Sequence, residues 1–133
     1  MDLEGQNLSG LNLANADLQH SNLSGATLFQ ADLRGAMLIR ASLKGANLYQ
    51  ANFERTISTA ADFTGSDLSS ASLQMAVLDY ANLSETDLRG TNFSGSHIYS
   101  ATIIDVCYDE TTIWPEGYSP PPSQSTSCKR HTF

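Results

Sequence analysis

The chain has 133 residues, 41% of them hydrophobic, enough for one modest domain and not for two. Fourteen acidic against seven basic residues give a net charge of −7, which argues against direct nucleic-acid binding because a phosphate surface needs clustered Lys and Arg. No apolar run approaches the ~20 residues of a membrane span, and the first ten residues lack a basic-then-apolar leader layout.

From Leu3 onward every fifth residue is apolar. The series runs through Leu48 and Phe53, breaks once at Ser58, and resumes from Phe63 to Ile103. Of 21 centres, 15 are Leu, three Phe, two Ile and one Ser, and the residue two before each centre is Ala at 12 of the 21 positions. A period of five fits neither the 3.6 of an amphipathic helix nor the 2 of an alternating strand. It fits a coil with flat sides, five residues to a side. The centre and the small residue point inward, and the polar residues point outward. The inward residue beside each Leu is small because a narrow interior cannot hold two large side chains.

The number of sides is also legible. Only three residues just before a centre are apolar, Met37, Ile57 and Val77, and they are spaced by 20. Gly5, Gly25, Gly45 and Gly65 recur at the same spacing. Four sides of five residues stack each set vertically, whereas a three-sided coil would scatter them. The pattern predicts about five coils of 20 residues plus a partial sixth over residues 1–113, stacked at ~4.8 Å. Within that tower Ser58 is a defect, with a local bulge at Ile57 as the expected compensation. Residues 114–133 are turn, polyproline and Ser/Thr material. There Ile113, Trp114 and Tyr118 are expected to close the last coil.

Units such as Ala31-Asp32-Leu33-Arg34-Gly35 and Ala46-Asn47-Leu48-Tyr49-Gln50 resemble the pentapeptide-repeat family over residues 1–105. The segment from Thr112 to Tyr118 is similar to a terminal element of cyanobacterial members. The resemblance implies an all-β, right-handed quadrilateral parallel β-helix with no common catalytic activity. It also implies that some members, the quinolone-resistance proteins, imitate DNA and bind gyrase.

The acids are uneven. Residues 59–116 hold nine acids and only Arg89, against five acids and four bases in residues 1–58. An electrostatic partner is therefore expected at the second half, with Asp67 and Asp87 as interaction candidates. The carboxamides and carboxylates before each centre are also expected to bond nearby backbone. Met37, Ile39, Ile57 and Val77 make an outward apolar stripe, read either as a contact surface or as support around Ser58. Cys107 and Cys128 either form a disulfide that pins the tail or remain free thiols in a reducing compartment. The histidines His20, His97 and His131 have no ligand spacing, and a filled leucine interior leaves no pocket for a substrate. No cofactor, metal or catalytic residue is expected. The sequence points to a non-enzymatic structural or protein-interaction scaffold, with a DNA-mimic modulator of DNA gyrase or topoisomerase as the alternative. A monomer is expected, because the tail offers no dimerising helix of the kind the resemblance associates with the mimics. The cytoplasm is the expected compartment, with periplasm and thylakoid lumen as alternatives.

Overall fold

The computed structural model describes residues 1–129, so Arg130 and His131 lie outside the described residues. Backbone pairing recurs every 20 residues. Nineteen parallel bridges join the described residues, and all but the last link a residue to the one 20 positions on. They form four columns, from Asp2 to Thr102, Asn7 to Cys107, Asn12 to Ile113 and Asp17 to His97. Each rung is a two-way exchange. The Leu23 N–H donates to the Ser42 carbonyl at 2.7 Å, and the Ser42 N–H donates to Ser21 at 2.9 Å.

The corners show why the period is five. Every fifth residue from Gly5 to Gly95 has a left-handed backbone, with φ between +55° and +72°. Eight of these nineteen corners are glycine, but eleven, such as Arg40, Met75 and Tyr80, are not. Each of those carries a strain of about 1 kcal/mol or more. At Asn15 and Arg55 a side-chain cap on the preceding turn offsets it: the Asn12 Oδ1 accepts the Ala14 N–H at 3.0 Å, and the Asn52 Oδ1 accepts the Glu54 N–H at 3.0 Å. This is the local backbone bonding expected of the residue before each centre. A Cβ at Gly35 would sit 2.3 Å from Asn15 Oδ1, so a larger residue there would have to push that exposed side chain aside.

The interior is solid. Leu23, Leu28, Leu33, Leu38, Leu43 and Leu48 are fully buried, as are the alanines between them. Ser58 is fully buried too, and its hydroxyl donates to Thr56 Oγ1 at 3.0 Å. No bulge forms at this level. The Met37–Ile57–Val77 rungs keep their spacing, and Ile57 stays 40% exposed rather than turning inward. Compensation comes sideways instead. Phe53 and Phe63, on the two sides flanking Ser58, meet edge to face with centroids 5.9 Å apart. Two large rings and one small residue thus fill the volume that three leucines fill elsewhere.

The register slips by one near the C-terminal end. Asn92 bridges Ile113 rather than residue 112. This brings Trp114, not Ile113, over Phe93, stacked at 5.2 Å and 9°. Tyr108 and Tyr118 pack on the Trp114 ring at 5.2 Å and 5.4 Å. Ile113 itself points outward, contrary to the expectation that it closes the coil. From Pro115 the chain crosses this end and returns along one side, where Ser125–Ser127 forms a single 3₁₀ turn.

Candidate interaction surface

Two opposite sides carry the residues singled out by the sequence. On one, the column Asp17–Met37–Ile57–Val77–His97 is flat and evenly spaced. Ile39 lies half-buried beside it. The Gln19 amide donates to Asp17 Oδ1 at 3.1 Å and contacts the Met37 sulfur at 3.8 Å. Exposed Met75 and Tyr80, the latter 74% exposed, flank Val77 at the two corners of its level. Sequence reasoning passed over both, although the period of five already puts them at corners.

On the opposite side Asp67 and Asp87 are not surface charges. Asp87 is fully buried and Asp67 is 9% exposed. The Arg89 guanidinium grips the Asp87 carboxylate with Nε–Oδ1 at 3.0 Å and Nη2–Oδ2 at 2.6 Å. The returning tail completes the clamp, since the Lys129 N–H donates to Asp87 Oδ2 at 2.8 Å and the Lys129 carbonyl accepts from Arg89 at 2.8 Å. The Asp67 Oδ1 accepts the Ser69 N–H at 2.9 Å and the Ser69 hydroxyl at 2.5 Å. The proposed electrostatic contact through these two carboxylates is therefore corrected. A long-range contact from a tail 42 residues away buries one of them, and no local pattern announces it.

The clamp holds the Arg89 guanidinium above its ordinary range through the Asp87 hydrogen bond, against the opposing effect of burial. Asp32 is lowered, first by the side-chain hydrogen bond from Arg34. Asp109 is lowered chiefly by the Thr111 hydroxyl. Burial pushes Asp62 up, but hydrogen bonds from Thr64 and the Lys44 ammonium at 3.5 Å leave it lowered.

Directly above Asp87 in its column stands Cys107, joined to Cys128 by a disulfide with Cα atoms 5.2 Å apart. The same return segment is held by the Gln124 N–H on the Val106 carbonyl at 2.7 Å and by the Ser127 hydroxyl on the Asp105 carbonyl.

A third feature is a groove of about 390 Å³ at one corner, lined by Ala14, Asn15, Arg34, Gly35, Glu54 and Arg55. Its charges nearly cancel, since Arg34 is already paired with Asp32 at 2.7 Å and the lining holds Glu54 as well as Arg55. No nucleophile and base converge there. His20 and His97 stand on different levels of the tower, and no group of three or more metal-ligating side chains gathers among the described residues.

Comparison with known proteins bears on what this tower is. No match is found among curated protein sequences. Among solved structures, a pentapeptide repeat protein (Rfr23) from the cyanobacterium Cyanothece 51142 is 29% identical, with 83% of this chain and 88% of that one covered at a TM-score of 0.46. HetL from Nostoc sp. strain PCC 7120, a pentapeptide repeat protein involved in heterocyst differentiation regulation, is 27% identical at a TM-score of 0.42. This chain spans 63% of HetL, with 84% of its own length covered. A trypsin-treated form of QnrB1, a plasmid-mediated fluoroquinolone resistance protein, is 19% identical over 84% of this chain and 69% of that one, at a TM-score of 0.49. The family described as Pentapeptide repeats matches in eight copies over residues 2–35, 30–55 and 59–95. With those repeats and the 20-residue ladder together, the chain belongs to the pentapeptide-repeat family, whose members fold as right-handed quadrilateral β-helices.

Proposed function

We propose that this chain is a non-enzymatic protein-interaction scaffold, a tower of about five coils and a partial sixth that offers flat sides to a protein partner. The observation that carries this reading is the filled interior. Core leucines and phenylalanines are fully buried at level after level, and the groove at the Arg34–Arg55 corner is open to solvent on the outside. Chemistry needs convergent groups in a water-excluding pocket, and a solid rod supplies surfaces instead.

The DNA-mimic alternative has weaker support. A mimic needs carboxylates at near-phosphate spacing along one face. Here Asp67 and Asp87 are tied down inside, while Asp62, Asp79 and Glu85 lie on different sides or corners. The disulfide favours an oxidising compartment over the cytoplasm that the sequence pointed to.

Two measurements test the reading. The protein should leave gyrase supercoiling unaffected at micromolar concentration; salt-sensitive inhibition would favour the mimic. A partner captured from the source organism should be lost on an outward substitution that leaves the melting temperature unchanged. If no such substitution matters and a turnover is found that depends on Arg34 or Arg55, the scaffold reading fails.

A further inference from the structure

The side bearing Met37, Ile57 and Val77 reads almost as a palindrome. From one end to the other its central column is acid, apolar, apolar, apolar, histidine: Asp17, Met37, Ile57, Val77 and His97. The corner beside Met37 carries exposed Arg40, and two levels on, the matching corner carries exposed Tyr80 next to Asp79. At the other edge, exposed Met75 stands two levels from Gly35, which has no side chain.

We propose that this side is a self-association surface whose occupant is a second copy of the same chain, packed face to face with the two towers antiparallel. A two-fold axis along the central rung puts Ile57 against Ile57 of the second copy and Met37 against its Val77. Asp17 then meets the second copy's His97. Arg40 stands directly opposite the second copy's Tyr80, a cation–π contact, and within one position of its Asp79, which faces Ile39 and takes its ion pair diagonally from Arg40. Met75 projects toward the second copy's Gly35 and the exposed Asn15 side chain that lies over it. Each contact off the axis occurs twice, as a two-fold interface requires.

The alternative parallel arrangement is disfavoured by charge. It sets Asp17 against Asp17 and leaves Arg40 opposite Gly35. The antiparallel pairing has one like-charge contact, Arg55 with its own copy, and that guanidinium lies at an exposed corner where solvent screens it. The rest of the tower supports the choice of side. The opposite side is already covered by the returning tail, through Lys129 on Asp87.

Size sets the strength. The column spans four rungs, ~19 Å at ~4.8 Å per rung, so the face is far smaller than the ~800 Å² each partner gives to a standard interface. The dimer is therefore a weak one, absent in dilute solution and formed at high local concentration. This goes beyond the scaffold reading and does not rest on it, since a strictly monomeric protein could still hold a different partner.

Sedimentation equilibrium from ~20 µM to ~2 mM, which spans the micromolar-to-millimolar dissociation constants of weak binding, tests it on the intact, disulfide-bonded protein. The expected result is a monomer at the low end and a reversible dimer at the high end. Arg40→Asp alone and Asp79→Arg alone should each weaken association about tenfold, and the double variant should recover most of it, because both swapped pairs re-form across the axis. In parallel, Ile57→Cys should cross-link to itself under mild oxidation much faster than Glu85→Cys, whose corner lies away from this face. A monomer at every concentration overturns the proposal, as does a dimer that the double swap fails to restore or an Ile57→Cys rate no faster than the control. Circular dichroism and unchanged melting temperatures establish that each variant is folded.

Discussion

At the N-terminal end of the tower Leu3, Leu8 and Leu13 are half-buried and Leu11 is 46% exposed, whereas at the C-terminal end Phe93 is fully buried beneath Trp114. The repeat is the same at both ends, so the difference lies in what covers it. A coil in a solenoid gains its burial from two neighbours, and a terminal coil has only one. At the C-terminal end three aromatic rings, a buried Asp87–Arg89 clamp and the Cys107–Cys128 link stand in for the missing neighbour. None of these devices belongs to the repeat. The lesson is that the repeat specifies the middle of such a tower, while its end is built from residues that break the pattern.

Four measurements can break or sharpen this contrast. The largest effect is expected in the middle. Leu48→Ala should cost ~2–5 kcal/mol, because rigid neighbours above and below cannot collapse into the gap. Leu3→Ala, at a half-buried position, should cost about 1 kcal/mol or less. Ser58→Ala should also fall far below Leu48→Ala. Chemical denaturation ranks all three, and equal losses at Leu3 and Leu48 would show that the ends are as well packed as the middle.

Next comes the disulfide, which closes a loop with a sequence separation of 21. Replacing both Cys107 and Cys128 by Ser should cost ~3 kcal/mol if the bond is unstrained. The native protein should take up no alkylating reagent until it is reduced. Two adducts on the unreduced protein, read by mass spectrometry, would mean free thiols and a tail held only by hydrogen bonds.

The Asp87 clamp should matter somewhat less, because the Arg89 side chain remains 36% exposed and solvent screens part of the pair. Asp87→Ala strands Arg89 and the Lys129 N–H and should destabilise by ~2 kcal/mol, within the range for breaking a partly buried pair. Arg89→Ala should cost at least as much, because it leaves the buried carboxylate without its countercharge. Hydrogen exchange should show the loss at Gln124 and Lys129 while the first levels keep their protection. Uniform loss along the tower would mean that the two ends are coupled and the contrast is false.

The smallest effect is expected with pH. Asp32, Asp62 and Asp109 are all lowered in the folded protein. Their contribution is present above the unfolded carboxylate range, near pH 4, and is lost as pH falls through their folded values. The melting temperature should therefore hold steady from pH 7 to about 5 and decline below about 4. A rise in stability on acidification through that window would contradict the assigned directions.

Much of this architecture was written in the chain. The recurrence of Leu at five and of Met37, Ile57 and Val77 at twenty reflects inward packing and vertical stacking, both of which repeat identically at each level. A periodic structure leaves a periodic trace, so the four columns could be read directly, and so could the apolar side. The left-handed corners had left a trace as well, in the eight glycines of residues 1–105, which all fall on the same phase of the repeat. What only the tertiary structure decided lies where the period fails. The one-residue slip that seats Trp114 on Phe93, the sideways filling around Ser58 by Phe53 and Phe63, and the burial of Asp87 under a tail segment 42 residues away all depend on which non-repeating side chains meet in space. Such contacts are fixed by packing volume and by the need to pair buried charge, and neither quantity is carried by local spacing.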